Sequence, residues 1–309
     1  MGDQIYADSV GQLWVDKKIN EEQTKNHLRN LYLNTYSEKY QSEVMRNVLN
    51  FNIFDDHDIK DCYGTPTTQN TDANKYFNEY KKIAYDYLIK YQLSLCNKNF
   101  ADLTDLTDLS YSIDIGKYKF VMLDMRSQFY YSGQIFTNKI LNFVKNILNS
   151  NTKNDIYFIL PRPIGGTGKY LSWITGLYLK DALDEPIHPH NYDQTMKFLN
   201  LIFKYKIKSK KNIRILAGDV HECYKKTIKF EHKNDTYHIN QYISSAITRS
   251  CRANDSNWIV KLLFGITDNF NLLFTLGIGN KQNHSMYNNF GEIINNKIKF
   301  NVKKEKNIT

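Results

Sequence analysis

Cysteine is scarce in this 309-residue chain, with four residues: Cys62, Cys96, Cys223 and Cys251. None forms a C-x-x-C pair, which excludes a zinc knuckle and a dithiol redox motif. So few in a chain this long read as reduced thiols of a reducing compartment, acting as small buried hydrophobes. A long apolar run is missing too. The longest candidate, LLFGITDNFNLLFTLGIG, is interrupted by Asp and Asn and is not read as a membrane helix. The opening MGDQIYADSV has neither a basic nor an apolar leader region, so no secretory signal is read. A cytoplasmic protein without membrane insertion is expected.

What is present is a globular balance: 41% hydrophobic and 24% charged residues, enough to build a core. Lys and Arg number 41 against 32 Asp and Glu, a net charge of +9. A basic surface attracts phosphates, nucleic acid or anionic lipid. Here the lysines are spread out and dense only at 204–211 and 303–306, so the charge reads mainly as a compositional bias. Weak nucleic-acid affinity is the macromolecular expectation it leaves. The length suits one large domain or two small ones. Composition marks no boundary, so a single domain over 1–309 is expected.

Helix and strand patterns alternate. Helices are expected over 20–49, 72–95, 137–149 and 192–207, where apolar residues recur at helical spacing. Short apolar runs at 51–54, 156–160 and 213–217 suit buried strands that end in polar loops. Residues 111–125 read as a hairpin turning at Ile115-Gly116-Lys117, with further hairpins turning at Asn234-Asp235 and Asn295-Asn296. Strand, polar loop and helix recur, with polar residues at the strands' carboxyl ends. That is where α/β folds place their sites.

Three clusters occupy such positions: Gly2-Asp3-Gln4-Ile5-Tyr6-Ala7-Asp8, Asp55-Asp56-His57-Asp58 and Gly218-Asp219-Val220-His221. Singly, each is also a common turn or capping loop. Together they offer carboxylate oxygens and imidazole nitrogens, the ligands of Zn, Fe or Mn, while an all-oxygen set would suit Mg or Ca. Like charges held this close repel, and a cation relieves that. Gly165-Gly166-Thr167-Gly168-Lys169 has the look of a phosphate-binding loop, but Pro163 and Tyr170 stand where that motif needs Gly and Ser or Thr.

The order GDQIYAD, DDHD, GDVH resembles the PhoD-like alkaline phosphatases of the calcineurin-like metallophosphoesterase superfamily. The superfamily's general pattern is DxH, GDxxD, GNH(D/E), a lone His and GHxH. Leu123-Asp124-Met125-Arg126-Ser127 is similar to the family's LDxRS segment, and Ser244–Thr248 to the segment after its last motif; the resemblance spans roughly residues 2–250. It implies a metallophosphoesterase-type α/β sandwich with mixed β-sheets flanked by helices. It also implies a phosphomonoesterase or phosphodiesterase working through a metal-bound hydroxide. Two divalent or trivalent ions, drawn from Fe, Zn, Mn, Mg and Ca, would be the cofactors and a phosphate ester the substrate.

Carried over by position, Asp3 matches the carboxylate that bridges the metals, and Asp56 stands where the superfamily has a ligating Asn. His57 matches the proton donor to the leaving oxygen, and Asp58 the acid that orients it. Asp219 and His221 match the two histidines of GHxH as ligands; Asp at the first position makes the site harder and more anionic. Tyr6 and Asp8 are expected behind the ligands, positioning the loop. Arg126 either holds a phosphate oxygen or forms a structural ion pair. His188 and His190 are candidates for the lone histidine, or else exposed loop residues. The strand expected before Asp3, with the first ligand motif, would lie upstream or come from another chain. The alternative is a catalytically inactive relative that binds anions or nucleic acid.

Overall fold

A computed structural model describes residues 2–64, 71–94, 96, 108–127, 133–150, 154–164, 185–219, 223–232, 235–244, 282–285, 289–294 and 297–302. The chain divides into two compact units: Met1–Leu109 with Asp124–Gly133, and Ser110–Leu123 with Gln134–Thr309. Among the described residues, no helix is long and apolar enough to cross a membrane.

The first unit is helical where it is regular. Helix α1 spans Asp8–Val15, α2 Glu21–Tyr36, α3 Lys39–Asn47 and α4 Thr71–Leu88. Asn20 starts α2 through a reciprocal cap. Its side chain accepts from Gln23 N, and Gln23 Oε1 accepts from Asn20 N, both at 2.9 Å. This satisfies two donors that the first turn leaves open. Thr24, Leu28 and Tyr32 are buried, one every fourth residue, so a single stripe of α2 faces inward. The expected helix over 20–49 is broken because Glu38 takes an extended ψ of 131°. Helix α4 widens into a π-turn at Ile89–Leu93, which buries Gln92. Such turns displace side chains from the regular helical face and recur at functional sites.

The expected strand at 51–54 is a correction. Ile53 and Phe54 are buried, but the segment joins no sheet. Its backbone groups bond to distant segments outside any sheet: Gly2 N donates to Ile53 O at 2.8 Å, and Asn52 N donates to Cys96 Sγ at 3.1 Å. Apolar burial alone had suggested a strand, but among the described residues no ladder pairs with this segment.

The second unit carries the sheets. Strands β1 Tyr111–Ile115, β2 Tyr118–Met122, β3 Asp155–Leu160, β4 Ile213–Ala217, β5 Cys223–His232, β6 Asp235–Ile243 and β7 Gln282–Ser285 form one sheet in the order β1-β2-β3-β4-β6-β5-β7. β2, β3, β4 and β6 run parallel, while β1, β5 and β7 pair antiparallel. β8 Asn289–Ile294 and β9 Lys297–Val302 form a separate hairpin. The first hairpin turns at Gly116-Lys117 as expected, with Gly116 at φ 57°. Helix α5, Asn138–Ser150, links β2 to β3, and α6, Pro189–Ser209, links β3 to β4. Parallel neighbours need crossovers of this kind.

One row across the sheet explains the core. Val121, Phe158, Ile215 and Gln241 are register partners on adjacent strands, and all are 0% exposed. α6 packs over it: the rings of Phe158 and Phe198 meet edge to face at 5.4 Å, and Phe136 stacks on Phe198 at 4.6 Å. Gln241 is the polar exception. It donates to Ile164 O at 3.0 Å and accepts from Ile164 N at 2.8 Å, which fixes the loop after β3. The fold class is the one expected: mixed α/β, with a mixed sheet flanked by helices.

Candidate metal and proton-transfer site

The GDQIYAD segment is clasped onto the DDHD loop by backbone bonds. Besides Gly2 N to Ile53 O, Ala7 N donates to His57 O at 2.8 Å. Gln4 N and Ile5 N both donate to Asp58 Oδ1, at 2.9 and 3.0 Å. Gly2 is required where it stands. Its φ is 68°, and a Cβ there would lie 2.8 Å from Asp55 Cβ.

Asp58 is the anchor of this clasp. Oδ1 also accepts from Gln92 Nε2 at 2.8 Å, and Oδ2 from Asp55 N at 2.9 Å. Burial pushes its pKa up to about 6, against the hydrogen bonds that lower it. With these four donors upon it, Asp58 does not orient His57, and the expected pairing is corrected. The carboxylate on the ring is Asp8, whose Oδ1 lies 2.8 Å from His57 Nδ1. Asp8 Oδ1 also accepts from Asp61 N at 2.6 Å. The Tyr6 ring leans on the imidazole, with centroids 4.9 Å apart.

The electrostatics favour a charged imidazole. Burial disfavours it, but the Asp8 hydrogen bond and the fields of Asp56, Asp3 and Asp8 outweigh burial and hold the pKa at about 10. Asp56, His57 and Asp61 each bring one ligand atom to a group in which all such atoms lie within 4.8 Å of one another. Asp3 is buried and sits at φ 46°, in left-handed space that non-glycine residues seldom occupy.

Arg126 faces inward. It is 2% exposed; its Nε bonds Asp55 Oδ1, and its Nη2 lies 2.9 Å from Asp56 Oδ1. The guanidinium is therefore in an ion pair with the DDHD loop, one of the two arrangements the sequence left open. Asp56 Oδ2 accepts from Cys62 N at 2.9 Å, where Cys62 takes φ 60°. Asp124 aims the turn that carries Arg126. Its Oδ1 accepts from Arg126 N at 3.0 Å and Ser127 N at 2.9 Å, and its Oδ2 from Leu109 N at 2.8 Å.

In the second unit, Asp219 follows β4 with φ 69° and binds the guanidinium of Arg162. The register explains the pair. Leu160 and Ala217 are partners at the ends of parallel β3 and β4, so positions two residues further on are neighbours. Arg162 was not singled out in the sequence, although alignment of the two strand ends would have exposed it. His221, Ser245–Thr248 and the 165–170 segment lie outside the described residues. His188 caps α6, with Nδ1 accepting from His190 N at 3.2 Å. Burial, helped by His190, lowers its pKa. His190 is exposed in the first turn of the same helix.

No family model matches the sequence, and no curated protein matches it. Among solved structures, the chain is similar to one described as "Structure of PhoD", with a TM-score of 0.53 at 13% identity over 72% of this chain. The match takes in 45% of that protein's chain, so this chain spans less than half of its neighbour's length. At this identity the likeness is one of fold.

Proposed function

We propose that the chain is a metal-dependent phosphoric-ester hydrolase of the PhoD-like kind, acting on phosphomonoesters or phosphodiesters. The observation that carries this reading is the Asp8–His57 pair set among the Asp56 and Asp61 carboxylates, in a loop clasped by GDQIYAD. The carboxylates beside the ring fit a divalent or trivalent cation, since Asp56 and Asp61 bring oxygen atoms within 4.8 Å of each other, while His57 keeps its proton and is not counted as a ligand. Asp3 and Asp56 are proposed ligands. Asp219 and His221 carry the two further ligand positions of the resemblance. The left-handed φ of Asp3 and of Asp219 supports a role for both, because such strain persists mainly where function requires it.

Bound metal, two ions by the resemblance, supplies a water of pKa about 7 and offsets charge on phosphoryl oxygens. The chain's own work is proton transfer. Asp8 holds Nδ1 of His57, which leaves Nε2 as the atom that hands a proton to the leaving oxygen. The Asp8 hydrogen bond favours the charged imidazole, so Nε2 starts the step with a proton to give. Tyr6 and Asp58 position the loop from behind. The test is metal analysis with turnover of an aryl phosphomonoester and a bis-aryl phosphodiester. Metal-replete protein that turns over neither ester from acid to alkaline pH would overturn the reading.

A further inference from the structure

The Arg126 guanidinium is a cation buried among carboxylates that the functional reading assigns to a metal loop. Its fork reaches two consecutive residues, Nε to Asp55 and Nη2 to Asp56 at 2.9 Å. All three side chains are at least nine-tenths buried. Nη1 also donates to Tyr63 O at 3.4 Å, tying the same guanidinium to the loop beyond DDHD. Asp56 is held from its other side by Cys62 N, so both of its oxygens are aimed. The arginine is itself aimed from behind. Asp124 fixes the backbone N–H of Arg126 and Ser127. The Ser127 hydroxyl continues a buried chain through Tyr85 OH to Tyr63 OH, the last step being 3.1 Å.

We propose that Arg126 is a positioning residue: a built-in counter-cation that, anchored on Asp55, holds the proposed ligand Asp56 in place before any metal arrives. The inference rests on the metal reading of this loop and deepens it. Two adjacent carboxylates brought into a buried turn repel each other, and an uncompensated buried charge is strongly unfavourable. A planar fork that bonds both removes that penalty and fixes their directions, which a lysine point charge does less well. Arg126 thereby gives the metal a formed receptor instead of a loop that must order on binding. Preorganisation of this kind raises affinity by cutting the ordering cost.

The experiment compares wild type with R126Q and with the charge-balanced double variant R126M/D55N. Metal-free protein is melted by circular dichroism with and without low-millimolar guanidinium chloride, using sodium chloride as the control. Mn²⁺ is then titrated, with free ion followed by electron paramagnetic resonance. R126Q is expected to melt lower, to be partly restored by guanidinium and not by sodium, and to bind Mn²⁺ at least about tenfold more weakly. Should R126Q fail to fold, R126M/D55N carries the test, because it removes the buried charge imbalance while keeping Asp56. Its Mn²⁺ affinity should also fall at least about tenfold. Unchanged or tighter Mn²⁺ binding in either variant would overturn the proposal, since Arg126 would then be a bystander or a competitor of the metal. Wild-type protein that takes up no Mn²⁺ would overturn the functional reading together with the metal half of this one. The guanidinium rescue, read on metal-free protein, separates the two failures: its absence counts against Arg126 as counter-cation whatever the metal result.

Discussion

Asp8 Oδ1 lies 2.8 Å from His57 Nδ1 while taking the backbone N–H of Asp61 at 2.6 Å, so one carboxylate oxygen fixes both the ring and the loop behind it. The pair joins the start of α1 to the DDHD turn across 49 residues of chain. Asp8→Asn removes the charge that sustains the imidazolium. Turnover should fall about 10²-fold, within the range of a lost general acid. Asp8 is among the influences that raise the His57 pKa. Its loss should therefore lower that pKa and move the alkaline limb of the pH–rate profile to lower pH. A limb that stays in place would detach Asp8 from the ring's protonation.

His57→Ala should lower turnover by about 10²–10⁴-fold. The loss should be smaller for aryl phosphates, whose good leaving groups need no proton, than for alkyl phosphates. Because His57 also contributes an atom to the group with Asp56 and Asp61, metal content must be read alongside. Unchanged metal with a leaving-group dependence supports the proton donor. Lost metal with equal rates lost on both ester classes makes His57 a ligand instead.

How much of this was legible depended on the kind of interaction. The hairpin at Gly116-Lys117 and the parallel strands β2 to β4 follow from local signals: a turn glycine, and short apolar runs separated by amphipathic helices. The break between α2 and α3 had no such signal, since no Gly or Pro stands in Tyr36-Ser37-Glu38-Lys39. The run at 51–54 looked like a strand because burial, not ladder pairing, sets its composition. The motifs were legible as strings, but the wiring inside them was not. Asp58 follows His57 in sequence, yet the two share a tight 3₁₀ turn, Asp56–Asp58. Successive side chains of such a turn point about 120° apart, so the neighbour in sequence faces Gln92 and the Gln4 and Ile5 amides. The partner of His57 had to come from elsewhere in the chain.

Asp58→Ala should therefore act on stability. It strips acceptors from Gln4 N, Ile5 N, Asp55 N and Gln92 Nε2. Each buried donor left unsatisfied costs about 1–3 kcal/mol, so a loss of at least about 3 kcal/mol is expected in urea unfolding. Asp58→Asn should recover part of it, because its carbonyl can still accept where Oδ1 did. If Asp58→Ala unfolds like wild type, the clasp between GDQIYAD and DDHD does not hold the unit together.

The buried carboxylate of Asp124 makes a separate prediction about pH. Burial, reinforced by the nearby charge of Asp108, raises its pKa from 3.8 to about 6, against hydrogen bonds from Ser127 and Leu109 that lower it. A carboxyl whose folded pKa exceeds its unfolded value binds its proton more tightly in the folded state. Its contribution to stability is complete below pH 3.8 and is lost as pH rises through about 6. Asp58 has the same sign, with burial raising it to about 6. Urea unfolding of wild type and Asp124→Asn at pH 5 and pH 7.5 isolates the Asp124 part. The variant is less stable at both, because an amide cannot accept at both positions where the carboxylate takes Leu109 N and the Arg126 and Ser127 amides. The gap between the two proteins should be wider at pH 5, where wild type keeps the proton that Asn cannot bind. A gap that is constant or widens toward pH 7.5 would mean that hydrogen bonding to the ionised form outweighs burial, and that Asp124 stays charged beneath the Arg126 turn throughout.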